Sequence, residues 1–482
     1  MSERKMIYLC LAHMSEAGME QKYVKEAFDT NWVVPMGPNV DAFEVDLERF
    51  VNGVQVKPNC GGGVPERTAA SDMNGGLEQQ GSLDMNGGLE QQGSLEREVV
   101  CLASGTAAVH LALIACGVKA GDEVCVQSFT FCASSHPITY LGAKPVFVGS
   151  ERDTWNMDPQ LLEAAIQDRI AKTGRKPKAI VPVALYGMPY RIDKIMDIAE
   201  KYDIPVVEDA AEGMGSRYGG QVLGTFGRYG VLSFNGNKMI TTSGGGALIC
   251  RSKEEAREIM WYATQARDGY PYYQHSAIGY NYRMSNVCAG IGRGQMTVLE
   301  EHIAHHKHVQ ALYEELLKDV PGVKTHKQPE GGMFDANYWL CSAILDPDVR
   351  VKGQENAYKE VVKTAVGGAA GVIHTVDSPT TDCQPNDNVE ALRVFMLERK
   401  VECRPLWKPM HCQPVYRKGD VQTSKMLAGG EEIVCQTSES GVAYTKGVEE
   451  ELFKVGFCLP AGPYVTDDDV RYIVGCIRQA IL

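Results

Sequence analysis

The chain has 482 residues, 44% hydrophobic and 23% charged, a balance that fits a globular protein with two or three domains and ample core. Its 61 acidic residues outnumber 48 basic ones, and a net charge of −13 argues against nucleic acid as the main partner. The apolar patch near the N-terminus is too short for a signal segment, no run spans a membrane, and the 15 cysteines lack CxxC pairs. A cytoplasmic protein with reduced, mostly buried thiols is expected.

Residues 20–50 predict two helices around an irregular turn. Tyr23, Val24, Ala27 and Phe28 make one apolar stripe, and Phe43, Val45, Leu47 and Phe50 another. The turn between them, from Asn31 through Trp32 to Pro38, is rigid and of a kind that borders a site. Residues 53–98 interrupt this pattern. A polar, glycine-rich dodecamer at 72–83 is repeated letter for letter at 84–95, and two such copies cannot bury a core. A surface insertion without a catalytic part is expected there.

From residue 99 short strands and helices alternate. A strand at 99–102 runs into Ala103-Ser104-Gly105-Thr106 and then a helix, an arrangement that binds phosphate through backbone amides and the helix dipole. An N-cap without a ligand reads the same way locally. Strands follow at 123–127 and 144–148, Asp158 caps a helix, and 179–185 is a continuous apolar strand. A helix over 192–202 precedes Val207-Glu208-Asp209-Ala210-Ala211-Glu212. Repeated βα units predict a mostly parallel sheet in a three-layer α/β domain. Asp209, at the C-terminal end of a strand, then lies on the ligand-binding face of such a sheet, where it could hold a cationic ring nitrogen or cap a helix.

The stretch 231–250 carries one lysine, Lys238, between two apolar runs, followed by Ser243-Gly244-Gly245-Gly246. A poorly solvated amine of this kind can form a Schiff base with an aldehyde. After Gly279-Tyr280-Asn281-Tyr282-Arg283, one long helix is expected from about 286 to 318. Its His302, His305, His306 and His308 lack an HExxH pattern and read as a solvated face rather than a metal site. The remainder reads as a smaller α/β domain: strands at 338–345 and 401–406, a helix at 389–398, and a final amphipathic helix. Polar loop insertions are expected near 350–385 and 420–446.

Phosphate turn, aromatic (Phe131), acid (Asp209) and lysine (Lys238) thus stand in the order that pyridoxal phosphate chemistry requires. The motifs NWVVPMGPNVDAFE, ASGTAAVHLAL, SFTFCAS, VVEDAAEGMGS, LSFNGNKMITTSGGG, GYNYRMSN and RPLWKPMH together resemble the DegT/DnrJ-type nucleotide-sugar aminotransferases. The resemblance implies the aspartate-aminotransferase-like αβα fold (fold type I) with a smaller C-terminal α/β domain. The segments would be an N-terminal helical part (1–52), the insertion (53–98), a large cofactor-binding domain (99–300) and a small domain (301–482).

By the same resemblance Lys238 is the Schiff-base lysine and Asp209 the partner of the pyridine nitrogen, with Glu212 near the cofactor's 3′-oxygen. Ser104, Gly105, Thr106 and Ser233 would bind the phosphate, and Phe131 would stack on the ring. Asn281 would reach the phosphate of a neighbouring subunit, which implies a homodimer with shared sites. Arg283, Trp32 and His411 are candidates for substrate contact, and no metal is expected.

The family's T-x-x-E-G-G after the lysine is replaced here by Thr242-Ser243-Gly244-Gly245-Gly246, without the acid. Retention of the lysine, where sugar dehydratases of the family carry histidine, favours transamination. The implied reaction moves the amino group of L-glutamate to C4 of a 4-keto-6-deoxy nucleotide sugar. RPLWKPMH and NWVVPMGPNV most resemble the branch acting on UDP-4-keto-6-deoxy-N-acetylglucosamine, on the way to bacillosamine. A GDP- or dTDP-keto sugar of the perosamine type and a non-catalytic cofactor-binding regulator are the alternatives.

Overall fold

The computed structural model describes residues 4–53, 97–359 and 383–482. The repeated dodecamer and most of the 350–385 stretch lie outside them.

Strands Tyr229–Ser233, Val207–Asp209, Ile180–Val181, Glu123–Gln127 and Lys144–Val148 run parallel, the first two joined to the rest by the bridges Ile180↔Val206 and Val183↔Asp209. Gly246–Cys250 pairs antiparallel between Tyr229–Ser233 and Glu98–Leu102. Successive residues of these strands enter opposite cores. Val99, Cys101, Cys125, Val146, Leu232 and Ile249 pack with the helices Pro38–Val51, Pro159–Thr173 and Ile192–Tyr202. Val100, Leu102, Val124, Val126, Val231 and Leu248 pack with the helices Gly105–Ala115 and Lys253–Ala263. The period-2 alternation of strand side chains thus produces three layers, with the sheet covered on both faces.

Several expectations need correction. The apolar run at 179–185 yields ladder strand only at Ile180–Val181, since Pro182 has no amide to donate. The expected loop at 420–446 is instead three strands, Gln422–Ala428, Glu431–Thr437 and Val442–Thr445. The last adds in parallel to Lys144–Val148, so this late segment extends the large sheet. The single long helix is two, Asn286–Met296 and Leu299–Leu317, broken at Thr297-Val298. In the first of these, Gly290 and Gly294 sit against the backbone of Tyr23 and Glu20, so the helix Met19–Asp29 docks at close range. That helix buries Tyr23 and Ala27 but leaves Phe28 59% exposed, off the apolar face.

A second core gathers Ile7, Val309, Tyr313 and Leu317 with Ala343, Leu392, Met396, Phe457, Ile473 and Ile477. It lies over a four-stranded antiparallel sheet of Val323–Thr325, Cys341–Leu345, Gly456–Leu459 and Arg404–Pro405. The final helix, Asp467–Ala480, begins with a capping box between Thr466 and Asp469. Among the described residues no helix is long and apolar enough to cross a membrane.

Candidate active site

The strand Glu98–Leu102 ends at Ser104, whose hydroxyl accepts the Ala107 amide at 3.0 Å and caps the helix Gly105–Ala115. The first amides of that helix are left facing outward, a site for an anion. Ser233, at the end of the neighbouring strand, stands against the same turn: a Cβ on Gly105 would lie 3.1 Å from Ser233 Cβ. Gly246 opens the next strand so close beneath that a Cβ there would lie 2.4 Å from the Gly105 nitrogen. The glycine run after the lysine therefore lets the returning strand pass under the phosphate turn.

Asp209 is buried at the end of its strand. The Ser134 hydroxyl donates to Asp209 Oδ2 at 2.6 Å, the Ala211 amide to Oδ1 at 3.1 Å, and Thr130 shares a hydrogen bond with Ser134. Burial pushes the Asp209 carboxyl above its ordinary range, while Ser134, the Ala211 amide and the charge of Lys238 pull it back.

Lys238 sits on the turn between the two strands, its amide donating to the Asn235 carbonyl at 2.9 Å and its side chain 13% exposed. Its ammonium reaches Glu212 Oε1 at 3.4 Å and lies 4.0 Å from the centre of the Trp339 ring. Glu212 is fully enclosed, and its other oxygen accepts the Tyr186 amide at 2.7 Å. Burial raises the Glu212 carboxyl and Lys238 lowers it. Tyr186 makes that bond from a left-handed backbone, φ 55° and ψ 17°, a conformation a tyrosine adopts only under constraint. Asp209, Glu212 and Lys238 are therefore brought together, two buried carboxylates around one cation. Cys10 feels the same lysine charge, but burial pushes its thiol up to about 12 and keeps it protonated.

Phe131 is 56% exposed, its ring 6.2 Å from that of Trp407, which is in turn 5.5 Å from Tyr186. These rings form an aromatic wall. Arg283 runs beside the phosphate turn, bridged to Leu102, and its Nε is buried without a partner among the described residues. Asn281 and Trp32 face outward. His411 does not line an open pocket. It is buried between Ser128 Oγ (2.6 Å) and Glu450 Oε1 (2.9 Å).

Sequence reasoning missed Ser134, Tyr186 and Trp339. Ser134 is the last residue of the quoted SFTFCAS motif and was findable there. Trp339 stands in the bend just before the strand Cys341–Leu345, packs into the core of the large sheet and carries no local signal. It is locked by its Nε1–H on the Asn237 carbonyl (2.6 Å) and by Asn337, whose Oδ1 accepts the Trp339 amide and whose amide group donates to Glu212 and Met214 carbonyls.

Residues 93–369 match the DegT/DnrJ/EryC1/StrS aminotransferase family. The chain is 36% identical over 470 residues to the putative pyridoxal phosphate-dependent aminotransferase EpsN of Bacillus subtilis, covering 98% of this chain and 94% of that one. It is 27% identical to GDP-perosamine synthase of Escherichia coli O157:H7 over 98% of its length and 99% of the relative's. Over 45% of its length, and 58% of the relative's, it is 39% identical to UDP-2-acetamido-2-deoxy-3-oxo-D-glucuronate aminotransferase of Pseudomonas aeruginosa. The fold superposes on the putative sugar aminotransferase Spr1654 of Streptococcus pneumoniae in its PLP form, with TM-score 0.70 and 19% identity over 98% of both chains. A sheet covered on both faces, with a buried acid, a half-buried lysine and a serine-capped turn at its edge, thus belongs to a member of the DegT/DnrJ/EryC1/StrS aminotransferases, pyridoxal-phosphate-dependent enzymes of fold type I.

Proposed function

We propose that the chain transfers the amino group of L-glutamate to C4 of UDP-4-keto-6-deoxy-N-acetylglucosamine, in the cytoplasm, at Lys238. The observation that carries amino transfer is the enclosed set Lys238, Glu212 and Asp209 beside the capped turn at Ser104. The set fits pyridoxal phosphate. The amides of Gly105 and Thr106 and the hydroxyls of Ser104 and Ser233 would hold its phosphate, Asp209 its ring nitrogen, and Phe131 one ring face. Glu212 lies within reach of its 3′-oxygen. When bound, that group supplies an electron sink for the carbon that loses or gains a proton.

The chain's residues do the rest. Asp209 would keep a proton at the ring nitrogen, its own carboxylate being fixed by Ser134 and Ala211 and shielded from water. Lys238 Nζ would anchor the cofactor and, once released, carry a proton to and from the amino-bearing carbon. Trp339 and Glu212 hold the free amine in place. Arg283, with an unpartnered buried Nε, is placed for a carboxylate or a nucleotide phosphate.

A homodimer completes the site in this reading. Asn281 points away from its own chain, and Trp32, Val33, Val34, Met36 and Ile278 leave an exposed apolar belt, Ile278 at 84%. His411, buried with Glu450, takes no direct part in sugar contact. The UDP sugar is supported by NWVVPMGPNV and RPLWKPMH and by the 39% identity to a UDP-sugar aminotransferase. The full-length likeness to GDP-perosamine synthase favours a GDP-keto sugar as the second reading. A panel of UDP-, GDP- and dTDP-4-keto-6-deoxy sugars, with 2-oxoglutarate release from glutamate as readout, separates them. Turnover confined to the UDP sugar is expected, and turnover confined to another nucleotide overturns the assignment of the sugar while keeping the aminotransferase.

A further inference from the structure

His411, Cys412 and Glu450 take no part in amino transfer, yet one donor atom from each lies within 4.8 Å of the other two. His411 Nε2 is 2.9 Å from Glu450 Oε1 and 3.4 Å from Cys412 Sγ. In a tetrahedral zinc site, metal–ligand bonds near 2.0–2.3 Å place neighbouring donors about 3.3–3.6 Å apart. The two sides that meet at His411, 2.9 and 3.4 Å, are near that size, and the third is within 4.8 Å. Cys383, buried like Cys412, packs against it and Phe453 in a small cluster of its own.

The surroundings fit an ion. Ser128 Oγ lies 2.6 Å from His411 Nδ1 and also accepts the His411 amide, which fixes the ring and turns Nε2 toward the other two donors. Metal-bound histidines rely on such an outer contact. Glu449 is wholly buried, 3.9 Å from His411 Nδ1, and its Oε1 has no hydrogen-bond partner among the described residues. That oxygen faces the Nδ1 side of the His411 ring and so favours positive charge on the imidazole, which an ion at Nε2 would supply. Lys408 is close, but its ammonium is directed to the Cys383 carbonyl at 2.8 Å. Thiol and imidazole donors select zinc-class ions over magnesium or calcium.

We propose that His411, Cys412 and Glu450 bind one zinc ion per chain, with Cys383 turning in as the fourth donor. With all four positions filled by side chains the site is structural. It fastens Cys383 and the turn Met410–Cys412 to the helix Val448–Val455. Through Ser128, whose carbonyl accepts the Met410 amide at 2.8 Å, it also steadies the loop that carries Phe131.

The test uses the full-length, cofactor-loaded protein. It is incubated with excess zinc, freed of unbound ion and assayed for metal per chain. The expected result is one zinc per chain, held at least tenfold more weakly by Cys412→Ser and by Glu450→Gln, and a zinc-dependent rise in Tm that Cys412→Ser lacks. Cobalt provides a second reading that needs no variant to fold. Bound at a thiolate-containing tetrahedral site, it absorbs strongly in the red, where the cofactor does not. Zinc-free protein, equal retention in the variants, or a cobalt spectrum without tetrahedral thiolate character would each overturn the proposal, leaving a metal-free His411–Glu450 ion pair.

Discussion

Two clusters of buried titratable side chains flank the lysine turn. On one side Asp209, Glu212 and Lys238 pair opposite charges at 3.4 Å and accept hydrogen bonds from Ser134, Ala211 and Tyr186. On the other, His302, His305 and His306 share the helix Leu299–Leu317, and His302 bonds the carbonyl of Met239, the residue after Lys238. Burial shifts groups in both clusters. In the histidine cluster it outweighs the hydrogen bonds that oppose it: it lowers His302 and His305 and drives His306 to about 3, and His302 and His306 tie the carbonyls of Met239 and Tyr338. A shifted group marks chemistry when a complementary charge is trapped with it, and marks packing when its desolvation is answered mainly by backbone carbonyls.

That contrast is open to attack, from the largest effect down. Lys238→Ala is expected to abolish glutamate-dependent 2-oxoglutarate formation while the protein stays folded. Asp209→Asn should lower kcat on the order of 100-fold or more with a modest loss of Tm, since the amide keeps an acceptor oxygen for only one of the two donors, Ser134 and Ala211. Trp339→Leu removes a cation–π contact of about 0.5–2 kcal/mol, so kcat/KM should fall about tenfold, and Trp339→Phe, which keeps a ring, should lose less.

The histidines should answer through stability. His306 protonates in the unfolded chain near its ordinary value but resists in the fold down to about 3. The unfolded state therefore binds more protons between those limits, and stability present near neutrality is lost as pH falls from about 6.5. Tm measured against pH should drop over this range. His306→Gln, which retains a donor for the Tyr338 carbonyl, should flatten that drop and keep activity at pH 7. Smallest of all, His308 is exposed and pairs with Asp467 alone among the described residues, so His308→Ala should change stability by less than about 0.5 kcal/mol.

The two clusters also differ in how far they were legible in sequence. Lys238, Asp209 and the Ser104 turn were readable because each sits where a strand ends, and strand ends follow from local apolar runs and glycine. The histidines read as a solvated face because periodicity along one helix does not reveal a second layer. His302 and His306 are four residues apart, on one face, and that face is covered by the lysine turn and by Tyr338. The same limit hid Trp339, which lies about a hundred residues from the lysine it steadies. The segment 420–446 looked like loop because its outer strand is mostly exposed and polar. Only its last strand, Val442–Thr445, is buried throughout, and its partner, Lys144–Val148, lies nearly 300 residues earlier. Long-range pairing decided these elements, and composition carries no record of it.

The most direct test is borohydride trapping of the cofactor-loaded protein, with and without L-glutamate, followed by peptide mass mapping. The account predicts a reduced cofactor adduct on Lys238 alone, and its disappearance when glutamate has moved the amino group onto the cofactor. An adduct on another lysine, no adduct, or an adduct that persists in glutamate would contradict it.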